Sequence, residues 1–208
     1  RDQKELALNG VAVSPGIVIG KAFVLYGDAV KVEPKGVRHD AVQDEIEKFL
    51  SAVERTREEL QGFRNLAAQR LGEKDAAIFE VHQMLLQDEA VRDEIITRIR
   101  EEKKNADHIV AETIAKYEAV FDGATDEYFR ARAADLRDIK WRVIRHIQGE
   151  ESFKPESITE PVILIARDLT PSNTIKLDRS KVLGFATELG SRTSHAAILA
   201  RSLKVPSV

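Results

Sequence analysis

Residues 42–67 read VQDEIEKFLSAVERTREELQGFRNLA, and the spacing within this stretch decides the fold. Val42, Ile46, Phe49, Val53, Thr56, Leu60, Phe63 and Ala67 recur at intervals of three and four, with Glu, Lys and Arg between them. That period predicts an amphipathic helix of about thirty residues, long enough for coiled-coil-like packing. Gly72 punctuates it, and the same period persists from about Arg38 to Gly149. A second helix is expected over Asp75–Gln87, and a third from Asp88 through Val91, Ile95 and Ile99. A fourth should run from about Ala106 to Phe121 and end at Gly123. Thr125 is a plausible N-cap for the last helix, with Asp126 and Glu127 placing negative charge in its first turn. Gly149 takes the usual C′ position beyond its end. No fixed-period repeat is present, so the pattern specifies a bundle rather than a solenoid.

On either side of this zone the period is two. Residues 6–26, LALNGVAVSPGIVIGKAFVLY, are expected to form two strands joined at Ser14-Pro15-Gly16. After Gly149, Pro161–Ala166 reads as a buried strand. Leu169–Ile175 reads as a loop entering a short helix with Pro171 in its first turn. Val182–Thr187 is a further strand, and the loop Glu188–Thr193 feeds an apolar helix over about Ser194–Leu203. Val205–Val208 resembles the start of one more strand, so the sheet is expected to be truncated there. Two opening strands are not stable alone and need a sheet to join. The expected architecture is therefore one α/β domain, residues 1–30 with 150–208, interrupted by an all-α helical domain at 31–149.

The 208 residues are 43% hydrophobic and 32% charged, the composition of a globular chain able to bury a core. Thirty-two basic and 35 acidic residues are well mixed, for a net charge of −3, and no basic block points to nucleic acid. No apolar run approaches the roughly 20 residues that span a bilayer. Cysteine is absent, which excludes disulfides and thiolate metal sites. The opening residues do not read as a secretory signal, and a cytoplasmic location is expected.

The sharpest local feature is Gly190-Ser-Arg-Thr-Ser-His195, directly before the helical run Ala196–Leu203. It places His195 at a helix amino terminus that follows a strand and a glycine loop. The positive end of the helix dipole disfavours imidazolium and keeps the ring nucleophilic. The unpaired N–H groups there accept an anion such as phosphate. Arg192 and Arg201 could add positive charge where phosphoryl oxygens gather negative charge. A covalent phosphoryl carrier fits these features. On the residues alone, a capping or packing histidine stays open. His39, His108 and His146 lie in charge-rich helical surroundings without ligand spacing, and no HExxH-type metal motif occurs. The many Asp and Glu residues read as solvated helix faces.

The stretch GSRTSHAAILARSLKVPSV resembles the phosphohistidine motif of the Enzyme I family of the phosphoenolpyruvate-dependent phosphotransferase system. GVAVSPGIVIGKAF, DLTPSNTIKLDRSKVLGFATELG, KDAAIFEVHQMLLQDEAVRDEI and DEYFRARAADLRDIKWRVIRHI resemble that family's other segments, in its order and at its spacing. The resemblance implies an α/β phosphohistidine (swivelling) domain with an inserted helical bundle. It implies that His195 accepts phosphate at Nε2 from phosphoenolpyruvate and passes it to a histidine of the carrier HPr, with Thr174 orienting the imidazole. It also implies that His82, Met84, Leu85 and Arg132 belong to the HPr-docking face. The alternatives are helix core for Met84 and Leu85 and a solvated face for Arg132, while His82, on the same helix, is read as an interface residue and not as a second catalytic group. The family's phosphoenolpyruvate site, its Mg²⁺ ligands and most of its homodimer contacts belong to a carboxyl-terminal barrel outside these residues. No metal ligand is therefore expected here, and these residues on their own are compatible with a monomer. The swivelling domains of pyruvate phosphate dikinase and phosphoenolpyruvate synthase share a TSH-type motif but lack the helical insertion. A catalytically silent docking module is opposed by the intact GSRTSH.

Overall fold

A computed structural model of the chain describes residues 7–25, 31–125, 127–149, 158–166, 169, 175–188, 200–201 and 204–208, with the backbone alone at 127–131 and 179. The chain forms two compact units, one of Arg1–Ala29 with Phe153–Val208 and one of Val30–Ser152.

The second unit is helical: α1 (Val42–Leu71), α2 (Glu73–Leu86), α3 (Glu89–Glu102), α4 (Ala106–Asp122) and α5 (Glu127–Gln148). The buried stripe of α1 is Ile46, Phe49, Ala52, Thr56, Leu60, Phe63 and Ala67. It follows the three-four spacing except that Ala52 lies deeper than Val53. A stripe this wide at 3.6 residues per turn takes in both positions. Gly72 alone separates α1 from α2, at φ +100°, a conformation that favours glycine. Asp88 caps α3, its carboxylate accepting from the Ala90 and Val91 amides at 2.9 and 3.1 Å. Glu45 of α1 serves the start of α4 instead of a local cap, accepting from the Ala106 amide at 2.8 Å. Helix α5 is described from Glu127, and residue 126, which separates it from the expected cap Thr125, lies outside the described residues. Gly149 follows it at φ +72°, as a C′ glycine should. Helix α1 packs on α2 and α5, and α4 packs on α5 and α3. Leu60, Phe79, Ile99, Ile109, Val143 and Ile144 are among the buried side chains.

In the other unit, β1 (Lys21–Leu25), β2 (Val162–Ala166) and β3 (Val182–Thr187) form a parallel sheet in that order. Parallel neighbours need crossovers. The whole helical unit lies in the first, between Leu25 and Val162, and residues 167–181 make the second. Ile163 pairs with Ala22 on one side and Gly184 on the other. Leu25, Val162, Leu164, Leu177, Phe185 and Val205 lie in its core.

Of the two expected opening strands, the second forms in part as β1, at Lys21–Leu25, and the first does not form among the described residues. Among residues 7–20 the one bridge is Ser14 to Ser207, while Leu8, Val11, Ile17 and Ile19 are exposed. A strand needs a neighbouring backbone, and among the described residues Val13 and Ser14 find one at Ser207, within residues 206–208. Those residues behave as a strand should: Phe185 N donates to Pro206 O, Val208 N to Phe185 O, and Thr187 N to Val208 O.

Candidate functional site

Helix α2 carries Phe79 and His82 three residues apart, hence on one face. Both are buried, and their rings meet edge-on at 6.1 Å. Met84 stands two residues beyond His82, roughly 200° around a helix of 3.6 residues per turn, and is 73% exposed. Leu85 is half-buried. The two sides of α2 thus face different surroundings, one packed and one open.

The packed side meets a run of charges on α5. His82 is 0% exposed, and its Nε2 lies 3.0 Å from Asp135 Oδ1. A carboxylate can only accept, so Nε2 carries the proton and donates. Asp135 Oδ2 accepts from Arg132 Nη1 at 2.7 Å. On the other side of the ring, His82 Nδ1 stands 3.6 Å from Asp138 Oδ2. Asp138 in turn receives Arg142 Nε at 2.9 Å and Nη2 at 3.3 Å. Arg142 Nη1 reaches Glu59 of α1 at 3.0 Å, and its guanidinium lies 5.0 Å from the Phe63 ring centre. His146 Nε2 lies 3.3 Å from the other oxygen of Glu59.

This is a chain of hydrogen bonds and ion pairs through the interior of the helical unit: His82 joins α2 to α5 by a hydrogen bond, and Arg142 joins α5 to Glu59 of α1 by an ion pair. Burial is the largest influence on Asp138 and would raise its pKa. Arg142 first, then His82 and Arg145, outweigh it and hold the carboxyl below its ordinary value. Burial likewise works against the Arg142 charge, and Asp138 and Glu59 reverse that, raising its pKa. Removing either partner alone would leave the other charged and dry.

Of the sequence-predicted docking residues, Met84 and Leu85 reach the surface. Arg132 keeps 17% of its side chain exposed, and His82 is enclosed beneath them. Burial excludes direct contact between His82 and a partner in this conformation. His195, Thr174 and Arg192 lie outside the described residues. His108 pairs with Glu112 at 3.3 Å. Among the described residues, no group of three or more His, Asp or Glu side chains is placed to hold a metal ion. Nor is any described helix long and apolar enough to cross a membrane.

The sequence reading missed Asp135, Asp138, Arg142 and Glu59 by treating acidic residues as solvated. Asp135 is 2% exposed and Arg142 likewise. A signal was available: Arg132, Asp135, Asp138 and Arg142 step by three, three and four along α5. Two aspartates flanked by two arginines on one stripe of a helix can answer one another and a charge on a neighbouring helix instead of facing solvent.

The family described as PEP-utilising enzyme, N-terminal, matches residues 9–132, and the family described as PEP-utilising enzyme, mobile domain, matches residues 158–208. A phosphoenolpyruvate-protein phosphotransferase of Bacillus sp. (strain S) is 40% identical over 205 residues, covering 99% of this chain and 35% of the relative. That of Priestia megaterium is 41% identical over 201 residues, 97% of this chain and 35% of the relative. The chain thus spans about a third of the length of these curated relatives. The solution structure of Enzyme I (nEIt) superimposes with a TM-score of 0.78 at 42% identity, covering 97% of this chain and 82% of the other.

Proposed function

The chain belongs to the PEP-utilising enzymes, and from that premise we propose that it is the HPr-docking, phosphoryl-carrying portion of a phosphoenolpyruvate-protein phosphotransferase. The observation that carries the reading is the match of the N-terminal and mobile-domain families on one chain, in that order, with GSRTSH at residues 190–195 inside the second. His195 is the carrier. Its Nε2 lone pair attacks the phosphorus of phosphoenolpyruvate, the enol P–O bond breaks, and the departing pyruvate enolate takes a proton. In the second transfer the new P–N bond breaks as a histidine of HPr forms its own. Thr174 orients the imidazole, and Arg192 supplies charge for the phosphoryl oxygens. Alignment and electrostatics do most of the work in such transfers.

Docking falls to the outer side of α2 with Arg132 of α5. Exposed Met84 and half-buried Leu85 offer an adaptable apolar contact flanked by charge, which suits a transient partner. The Mg²⁺ implied by the resemblance would supply charge neutralisation at the phosphoenolpyruvate phosphate. The described residues do not fit it, because Asp135 and Asp138 are already matched by Arg132 and Arg142. The reading assigns both phosphoenolpyruvate and the metal to a further barrel domain, and the protein to the cytoplasm as a homodimer.

The test is transfer in the reverse direction. Phosphorylated HPr should label the chain with acid-labile, base-stable phosphate, and His195→Ala should abolish the label while leaving circular dichroism unchanged. Persistent labelling of His195→Ala would falsify the carrier assignment.

A further inference from the structure

Resting on that docking role, we propose that Asp135 is a positioning residue for the HPr-binding face, holding the Arg132 guanidinium in place before the partner arrives. Asp135 divides its two oxygens: Oδ1 takes His82 Nε2 at 3.0 Å, and Oδ2 takes Arg132 Nη1 at 2.7 Å. The first contact is to α2 and is fully enclosed. The second is to a side chain that still reaches solvent. A carboxylate 2% exposed thus links the interior of the bundle to a cation at its surface.

Arg132 and Asp135 are three apart on α5, so their proximity is local. The direction of the guanidinium is not, because Asp135 is itself fixed by a residue of another helix. His82 is in turn packed edge-on against Phe79 and faces Asp138 on its far side. Arginine carries about 2 kcal/mol of rotamer entropy, and an arginine already held loses less of it on binding. The planar guanidinium has the geometry to meet a carboxylate or carbonyl oxygen on the carrier. The role of His82 in docking is then indirect: it holds Asp135, which holds Arg132.

A merely structural Asp135, tying α2 to α5, predicts something different. Asp135→Asn separates the two roles. The amide oxygen still accepts from His82 Nε2, whereas the amide nitrogen cannot accept from Arg132. The Kd of unphosphorylated HPr is measured by calorimetry for the 208-residue chain, Asp135→Asn, Arg132→Ala and the double variant, each checked for unchanged helical circular dichroism. Positioning predicts that each single change weakens binding about five- to tenfold, in the range of one immobilised side chain. It further predicts that the double variant is within about twofold of Arg132→Ala, because both changes remove one interaction. Unchanged binding by Arg132→Ala would sink the docking reading itself. A weakened Arg132→Ala together with an unaffected Asp135→Asn, or with losses that multiply in the double variant, would leave docking standing and overturn the positioning role. Should Asp135→Asn not fold, the Arg132 Nε–Hε order parameter in the unmodified chain decides. A value near the rigid-backbone level of about 0.85 without HPr supports positioning, and one below about 0.6 overturns it.

Discussion

Arg142→Met tests whether the buried charges of the helical unit act as a matched set. Arg142 is 2% exposed and answers two carboxylates, Asp138 at 2.9 Å and Glu59 at 3.0 Å. Methionine keeps much of the length and the contact with Phe63 but removes the charge. What remains is a dry Asp138 with Arg145 and the His82 ring as its other neighbours. Breaking a buried pair from one side costs about 3–5 kcal/mol, whereas replacing both partners by apolar groups is often close to neutral. Arg142→Met should therefore lower the urea midpoint by roughly 2 M. The double variant Asp138→Leu/Arg142→Met should recover at least about half of the loss. The single tryptophan, Trp141 of α5, reports unfolding of this unit by fluorescence. The deficit should also depend on pH. In the parent chain the folded pKa of Asp138 is depressed, so its contribution is present above the unfolded value of 3.8 and disappears as pH falls through the folded value. Stability from this group is thus level between pH 8 and 5. In Arg142→Met, burial loses its chief opponent and the folded pKa rises. The variant then gains relative to the parent as the pH falls from 8 to 5, and the deficit narrows. A deficit below about 1 kcal/mol at pH 7.5, or one that widens on acidification, would refute the matched-charge account.

Three further outcomes are expected. Asp88→Ala removes the cap of α3 and should cost about 1 kcal/mol in urea unfolding, most of which Asp88→Ser restores. Gly184→Ala places a Cβ at 2.8 Å from Val18 Cγ1 and 3.2 Å from Pro206 O. It should destabilise the α/β unit by about 1–3 kcal/mol, read as faster amide exchange in β2 and β3 with α1–α5 unaffected. Met84→Glu should weaken HPr binding about tenfold and shift the urea midpoint by no more than about 0.5 kcal/mol equivalent, since the side chain is largely in solvent. A loss of stability instead would mean that Met84 is core.

The helices were legible because their burial is one-dimensional. A stripe of apolar residues at 3.6 spacing needs no knowledge of what lies opposite, and α1 ended one residue before Gly72 as the pattern required. Asp88, Gly123 and Gly149 marked helix ends for reasons that are local to each. Strands are different, because a strand exists only through its neighbour. Residues 162–166 and 182–187 found partners in register, whereas the equally β-branched Val11 to Ile19 segment did not form a strand. The charged network was illegible for a related reason. An aspartate reads as surface until the histidine or arginine that meets it is known, and Asp135 and His82 are 53 positions apart. The expectations for GSRTSH, Met84 and Leu85 came from resemblance and local pattern, whereas the charges packed beneath α2 were not read at all.

The central claim is that one histidine of this chain receives the phosphoryl group, and its most direct test is to locate that group. The chain, labelled by phosphorylated HPr and digested under alkaline conditions, is sequenced by electron-transfer mass spectrometry. The account predicts a single phosphoryl group in the tryptic peptide Thr193–Arg201, on His195, with His82 unmodified. Phosphate on His82 or on any residue outside that peptide would contradict it.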